Sequence, residues 1–155
     1  IGGALEFTEK SVSEIMVPRE QVQTLTLGCT PAELEHAVAR TGYSRFIVTD
    51  PEGSYMGYLH LKDALAVPPA REHIPFGWRL VRSMSVVAPE TDIDDALAIM
   101  QGNNSHLAHV VGSDGRSLGV VFMEDVLEEL VGEIKDTTQD RVRRLQAASR
   151  ASNDK

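Results

Sequence analysis

A repeat at one fixed offset constrains this chain more than any other feature of its sequence. Gly57-Tyr58-Leu59-His60-Leu61-Lys62-Asp63 matches Gly119-Val120-Val121-Phe122-Met123-Glu124-Asp125, with both glycines and both aspartates 62 residues apart. The turn glycines Gly53 and Gly115 are also 62 apart, and the helix-opening runs Thr30-Pro31-Ala32-Glu33-Leu34 and Thr91-Asp92-Ile93-Asp94-Asp95 are 61 apart. Anchors that recur together at one spacing describe a tandem duplication.

Each unit reads as strand, helix, strand, strand, helix. In the first, residues 22–27 are strand-like. Thr30 caps a helix whose first residue, Pro31, has no amide proton to leave unpaired. Leu34, Ala37 and Val38 share a helical face, and Gly42 ends it. Phe46-Ile47-Val48 reads as a buried strand, turned by Pro51-Glu52-Gly53 into a second strand over residues 55–59, with a short helix from about Leu61. The second unit predicts a strand at Val86-Val87, a helix over 92–101, strands over 107–111 and 118–122 around Asp114-Gly115, and a helix over 124–134. The expected boundaries are a lead-in over 1–12, units over 13–70 and 71–135, and a basic tail or linker over 136–155.

A unit of roughly 60 residues with three short strands leaves one sheet face bare and is marginal alone. Packing the two units sheet to sheet about a pseudo-two-fold axis removes that exposure, so the expected fold is mixed α/β (α+β). Equivalent loops then meet across a cleft, where ligands usually sit.

Charge narrows the partners. Residues 1–134 carry 9 basic and 20 acidic side chains, whereas 135–155 carry 6 and 3. The acidic body repels a phosphate backbone, and 5% aromatic residues give few stacking platforms for bases, so nucleic acid is not expected as a partner. A single nucleotide stays open, because one arginine or helix N-terminus holds phosphate locally. The opening Ile1-Gly2-Gly3-Ala4-Leu5 is too short for a signal peptide and no apolar run reaches spanning length, so the fragment is expected to be soluble.

No catalytic motif is found, and the single cysteine, Cys29, has no base at a recognisable spacing. His106 and His109 are three apart on a strand and point to opposite faces, which argues against a joint metal site. Asp92, Asp94 and Asp95 lack the calcium-loop glycine pattern and suit a helix's first turn. Glu124, Glu128, Glu129 and Glu133 read as a solvated helix face. No intrinsic metal site is expected.

The repeated Gly-x-x-x-x-x-Asp resembles the signature of tandem cystathionine-beta-synthase (CBS) domains, the Bateman module. Ile15-Met16-Val17-Pro18-Arg19, Gly42-Tyr43-Ser44-Arg45-Phe46 and Glu124-Asp125-Val126-Leu127-Glu128-Glu129-Leu130-Val131-Gly132-Glu133-Ile134 are similar to the pair found in CorC and hemolysin-C-like membrane proteins. The resemblance implies a non-catalytic regulatory module on the cytoplasmic face of an integral membrane protein tied to magnesium and cobalt transport. It implies a homodimer through CBS units, with a membrane domain before the module and a CorC-type domain after it. It also implies adenosine nucleotide, ATP or AMP, between the units, with magnesium bridging phosphates.

Carried onto this chain, the resemblance implies a site of Tyr43 and Arg45 from the first unit and Asp125 from the second, flanked by Val17, Val120 and Phe122. Asp125 would hold ribose hydroxyls and Arg45 phosphate oxygens. Phe122 stands where the family has a threonine, and Val17 where related proteins often have another. The 62-residue offset maps Arg45 to Leu107, Tyr43 to Ser105, Phe122 to His60 and Asp125 to Asp63, so a second, weaker pocket would hold His60 and Asp63 without the guanidinium. The plainer reading of both aspartates is helix capping. The alternative function is a ligand-free dimerisation module whose pocket has degenerated.

Overall fold

The computed structural model describes residues 10–153; residues 1–9 of the expected lead-in and the last two residues lie outside them. In chain order the elements are α1 (Val12–Ile15), β1 (Val17–Pro18), a 3-10 turn (Arg19–Gln21), β2 (Thr24–Thr26), α2 (Pro31–Thr41), β3 (Arg45–Thr49), β4 (Tyr55–His60), α3 (Leu61–Leu65), β5 (Ser85–Val87), α4 (Ile93–Gly102), β6 (Leu107–Val111), β7 (Ser117–Phe122) and α5 (Met123–Asn153). They build two small sheets, ordered β2-β3-β4 and β1-β7-β6-β5.

The local chemistry accounts for these elements. The Thr30 hydroxyl accepts the Glu33 amide, Pro31 takes the first position of α2, and Gly42 leaves the helix at φ 80°. Phe46 and Val48 pack against α2 and α3 while Ile47, between them, faces the other sheet. A strand covered on both faces reads as an unbroken apolar run, as Phe46-Ile47-Val48 does. The seam between the sheets joins Ile47 and Tyr58 to Leu107 and Val120, with Val17, Met84 and Phe122 packed around them.

The duplication reaches the backbone hydrogen bonds. The Leu61 amide donates to the Ser44 carbonyl and the Met123 amide to the His106 carbonyl, both pairs displaced by 62. A register irregularity at Val48/Thr49 recurs at Val110/Val111. The first strand is shorter than the expected 22–27, because residues 19–21 form the 3-10 turn and Leu27 enters the turn before α2. At the other end, the helix expected over 124–134 continues to Asn153. Residues 135–153 contain neither glycine nor proline, so nothing local stops it.

The two units exchange edges. Residues 10–18 lead into and open the first unit in sequence but close the second. Val12 is fully buried in the second unit's core, the Val12 amide donates to the Thr91 carbonyl, and β1 pairs antiparallel with β7 (Val17↔Val120). Reciprocally, Arg82, just ahead of β5, bridges to Tyr58 on β4, and Phe76 and Val81 pack in the first unit's core. The crossings explain the signature glycines. A Cβ at Gly119 would collide with the Val17 carbonyl, and one at Gly57 with the Arg82 carbonyl and the Val81 side chain.

Gly119→Ala is therefore expected to force β1 away from β7 and to lower stability by about 2–4 kcal/mol. Gly115→Ala, which meets open space, is expected to cost no more than about 1–2 kcal/mol of backbone strain. Chemical denaturation of the two variants side by side checks the difference.

Candidate functional site

Several elements end at one place. Gly42 turns the chain at the end of α2 and sets Tyr43, half exposed at 51%, at the rim. Arg45 opens β3 directly opposite His60, the last residue of β4 (Arg45↔His60). Phe122 closes β7, and Glu124 and Asp125 occupy the first turn of α5. Together with Val17 and Ser44 these residues line one open cleft of about 680 Å³ between the units. A narrower, nearly closed apolar recess of about 20 Å³, lined by Val17, Val22, Ile47, Leu107 and Phe122 among others, shares Tyr43 and Arg45 with it.

The charges in the cleft are unevenly matched. Arg45 Nη1 donates to Glu124 Oε1 at 2.5 Å, an ion pair that spans the two units, and Arg45 Nε is buried without a hydrogen-bond partner. The Glu124 side chain is 67% exposed, so an exchange of this carboxylate for another anion costs little. No hydrogen bond from a described residue engages the Asp125 carboxylate. Burial, and then the neighbouring Glu128, Glu124 and Glu129, raise its pKa above the ordinary 3.8. His60 is pushed below its usual 6.5 by burial and by Arg45, and its Nδ1 accepts the Lys62 amide. Nδ1 is thus an acceptor in a neutral ring, which leaves the proton on Nε2.

Of the residues expected at the site, Val17, Tyr43, Arg45, Phe122 and Asp125 all line the cleft. Val120 does not: it is 0% exposed in the seam between the sheets, and its partner Val17 presents the surface instead. His60 belongs to this same cleft rather than to a separate one. Sequence reasoning missed the Arg45–Glu124 pair and the contribution of Gln21 and Gln23 to the recess. Glu124 was visible only as one of several acids on a helix.

Residues 12–69 and 80–132 each match the family model of the CBS domain. The chain belongs to the CBS-domain family. It carries two copies. An uncharacterized protein of Mycobacterium tuberculosis (strain CDC 1551 / Oshkosh) is 38% identical over 140 residues, covering 87% of this chain and 40% of that protein. Hemolysin C of Rickettsia prowazekii (strain Madrid E) is 30% identical over 138 residues (88% and 45%), and the magnesium and cobalt efflux protein CorC of Buchnera aphidicola subsp. Acyrthosiphon pisum is 30% identical over 152 residues (95% and 52%). The chain thus spans about half or less of the length of these relatives. Among solved structures, the CBS domain of a bacterial CNNM/CorC family Mg2+ transporter in complex with ATP superposes with a TM-score of 0.73 at 28% identity, covering 83% of this chain and 92% of that one. Among the described residues no helix is long and apolar enough to cross a membrane.

The pseudo-symmetric counterpart of the cleft differs throughout. Asp63 accepts the Arg82 Nε and Nη2 hydrogens at 3.1 and 2.6 Å, and the His60 amide at 2.8 Å. Ser105 is buried against Ser85, and Leu107 is buried in the seam. The CBS aspartate that caps α3 is thereby satisfied within the chain, whereas Asp125 on α5 is not.

Other candidate groups are absorbed structurally. His109 Nε2 contacts Ser117 Oγ at 2.7 Å and its ring lies 4.7 Å from that of Tyr55, while exposed His106 precedes β6. Buried Cys29 is pushed up to about 11, chiefly by desolvation, so its thiol stays protonated at neutral pH. Asp92, Asp94 and Asp95 cluster, exposed, at the start of α4, where acids favour the helix dipole.

The two aspartates predict opposite pH behaviour. Burial alone would raise Asp63, but the Arg82 and His60 hydrogen bonds outweigh it and hold the carboxyl below 3.8. Its stabilisation is therefore complete above that value and is lost as pH falls through the lower folded pKa. Arg82→Ala should cost about 1–3 kcal/mol at pH 7 and remove this part of the acid limb. Asp125, raised in the folded state, opposes folding increasingly as pH rises above the ordinary 3.8, and in full once pH exceeds its folded pKa. Asp125→Asn should raise the Tm at pH 7, as thermal melts across pH 3–7 would measure.

Proposed function

We propose that this CBS pair senses adenosine nucleotide, ATP or AMP, in the cleft between its units and relays occupancy as a change in geometry. The observation that carries the reading is the convergence of Arg45 from the first unit and the unengaged Asp125 from the second on one cleft. In this reading phosphate replaces Glu124 on Arg45, the ribose diol donates to Asp125, and the Tyr43 ring packs on the base. The neutral His60 adds an Nε2–H at the phosphate end. Val17 and Phe122 supply apolar contact where a hydroxyl would have given a hydrogen bond, so affinity rests on Arg45 and Asp125. Magnesium, when present, bridges phosphate oxygens.

The names of the relatives support a protein of the CorC and hemolysin C kind linked to magnesium and cobalt efflux, and in this reading the module sits at the cytoplasmic face of its membrane domain. That a structural neighbour was obtained with ATP supports the ligand class. The module carries no catalytic role in this scheme and works as a homodimer. Nucleotide shifts the arrangement of the pair by its difference in affinity between two geometries, and the membrane domain reads the shift. The rival, a dimerisation module with a degenerate pocket, is distinguished by Arg45→Ala, which would then leave nucleotide response unchanged because there is none to lose.

Calorimetry with ATP and AMP, with and without magnesium, tests the proposal. Wild type is expected to bind, and Arg45→Ala to weaken binding by about 10- to 100-fold through loss of a charge-assisted contact. Asp125→Asn is expected to bind more weakly while melting higher, and wild type should lose affinity as acidification protonates Asp125. Absence of binding by wild type at millimolar nucleotide would defeat the sensor reading.

A further inference from the structure

Among the described residues that line the cleft, Arg45 is the only lysine or arginine. Its side chain is 18% exposed, so packing fixes where the guanidinium lies, and one of its N–H groups is spent on Glu124. A carboxylate and a phosphate offer a guanidinium the same kind of acceptor edge. Glu124, reaching across from the first turn of α5, therefore holds the place on Arg45 that a phosphate oxygen would take.

The fold does not require this ion pair. The 62-residue offset sets Lys62 at the position of Glu124 and buried Leu107 at that of Arg45, and α3 forms there without such a contact. Arg82 and Asp63 show what a permanent tie between the units looks like. Asp63 accepts two hydrogens from Arg82 and the His60 amide as well, and its side chain is only 12% exposed. Glu124 meets Arg45 through a single hydrogen bond and lies open to water. Asp125 is its neighbour, and Glu128, four residues on along the same helix, repels it. A contact this open and this crowded by like charge is readily exchanged.

We propose that Glu124 is a tethered competitor for the anion position on Arg45, so that the cleft discriminates among adenosine compounds by their phosphate. A phosphate displaces Glu124 into solvent and parts the ion pair between β3 and α5. Adenosine has no anion to offer and leaves that pair closed. The inference rests on the nucleotide reading of the cleft and adds what sets its threshold, because the phosphate has to outcompete a carboxylate already at hand.

Removing the competitor should help phosphate most. Glu124→Gln keeps the size of the side chain without its charge. Calorimetry is expected to show AMP and ATP bound about three- to tenfold more tightly by this variant, the worth of an ion pair with one partly buried partner, and a wider preference for AMP over adenosine. Glu128→Gln removes a charge that presses harder on Asp125 than Glu124 does but makes no ion pair with Arg45, so its gain should be smaller. In an Arg45→Ala background the gain from Glu124→Gln should vanish. A gain that is equal for adenosine, matched by Glu128→Gln, or retained without Arg45 would reduce Glu124 to one more negative charge and overturn the proposal. Nucleotide binding by wild type with no gain in Glu124→Gln would sink the competitor alone, whereas no binding by either chain at millimolar ligand would sink the nucleotide reading with it.

Discussion

The structure depends on two backbone crossings in which a carbonyl lies on a glycine. Val17 crosses Gly119, and Arg82 crosses Gly57. Each crossing takes the segment that opens one unit and uses it to close the sheet of the other, so neither unit completes its own core. Val12, Ile15 and Met16 fill the second unit's core, while Phe76 and Val81 fill the first unit's. The clasp follows from this exchange as much as from the seam of Ile47, Tyr58, Leu107 and Val120. Cores of this size are marginal apart and sufficient together.

The same exchange builds the cleft. β1 carries Val17 to the edge of β7, which ends at Phe122 and hands over to Glu124 and Asp125. β3 and β4 bring Arg45 and His60 to the facing side. Cationic and anionic groups thus come from different units, and their separation is set by the packing of two sheets. A small change in that packing would alter how well one ligand spans both, which is the physical basis of the proposed sensor.

Symmetry of fold has not produced symmetry of chemistry. Asp63 and Asp125 lie in the first turns of equivalent helices, yet Asp63 is neutralised by Arg82, whereas Asp125 sits beside further carboxylates. The first arrangement stabilises the fold. The second holds a partly buried charge at some cost to stability, a pattern expected of a group kept for binding.

The duplication, the order of elements within each unit, and the capping of α2 by Thr30 with its exit at Gly42 were legible in the sequence, because each rests on interactions within a few residues or on a repeat visible by eye. The meeting of Tyr43, Arg45 and Asp125 at one cleft was legible too, through the family resemblance. The extent of α5 was half legible, since the missing glycine and proline after Ile134 were on the page and the tail's polarity drew the reading toward a linker. What only the tertiary structure decided was which unit residues 10–18 complete, that Val120 lies behind Val17, that His60 and Arg45 share a cleft, and that Arg82 rather than a ligand answers Asp63. Those outcomes are set by contacts between residues 15 to 119 positions apart, and local propensity carries no term for them.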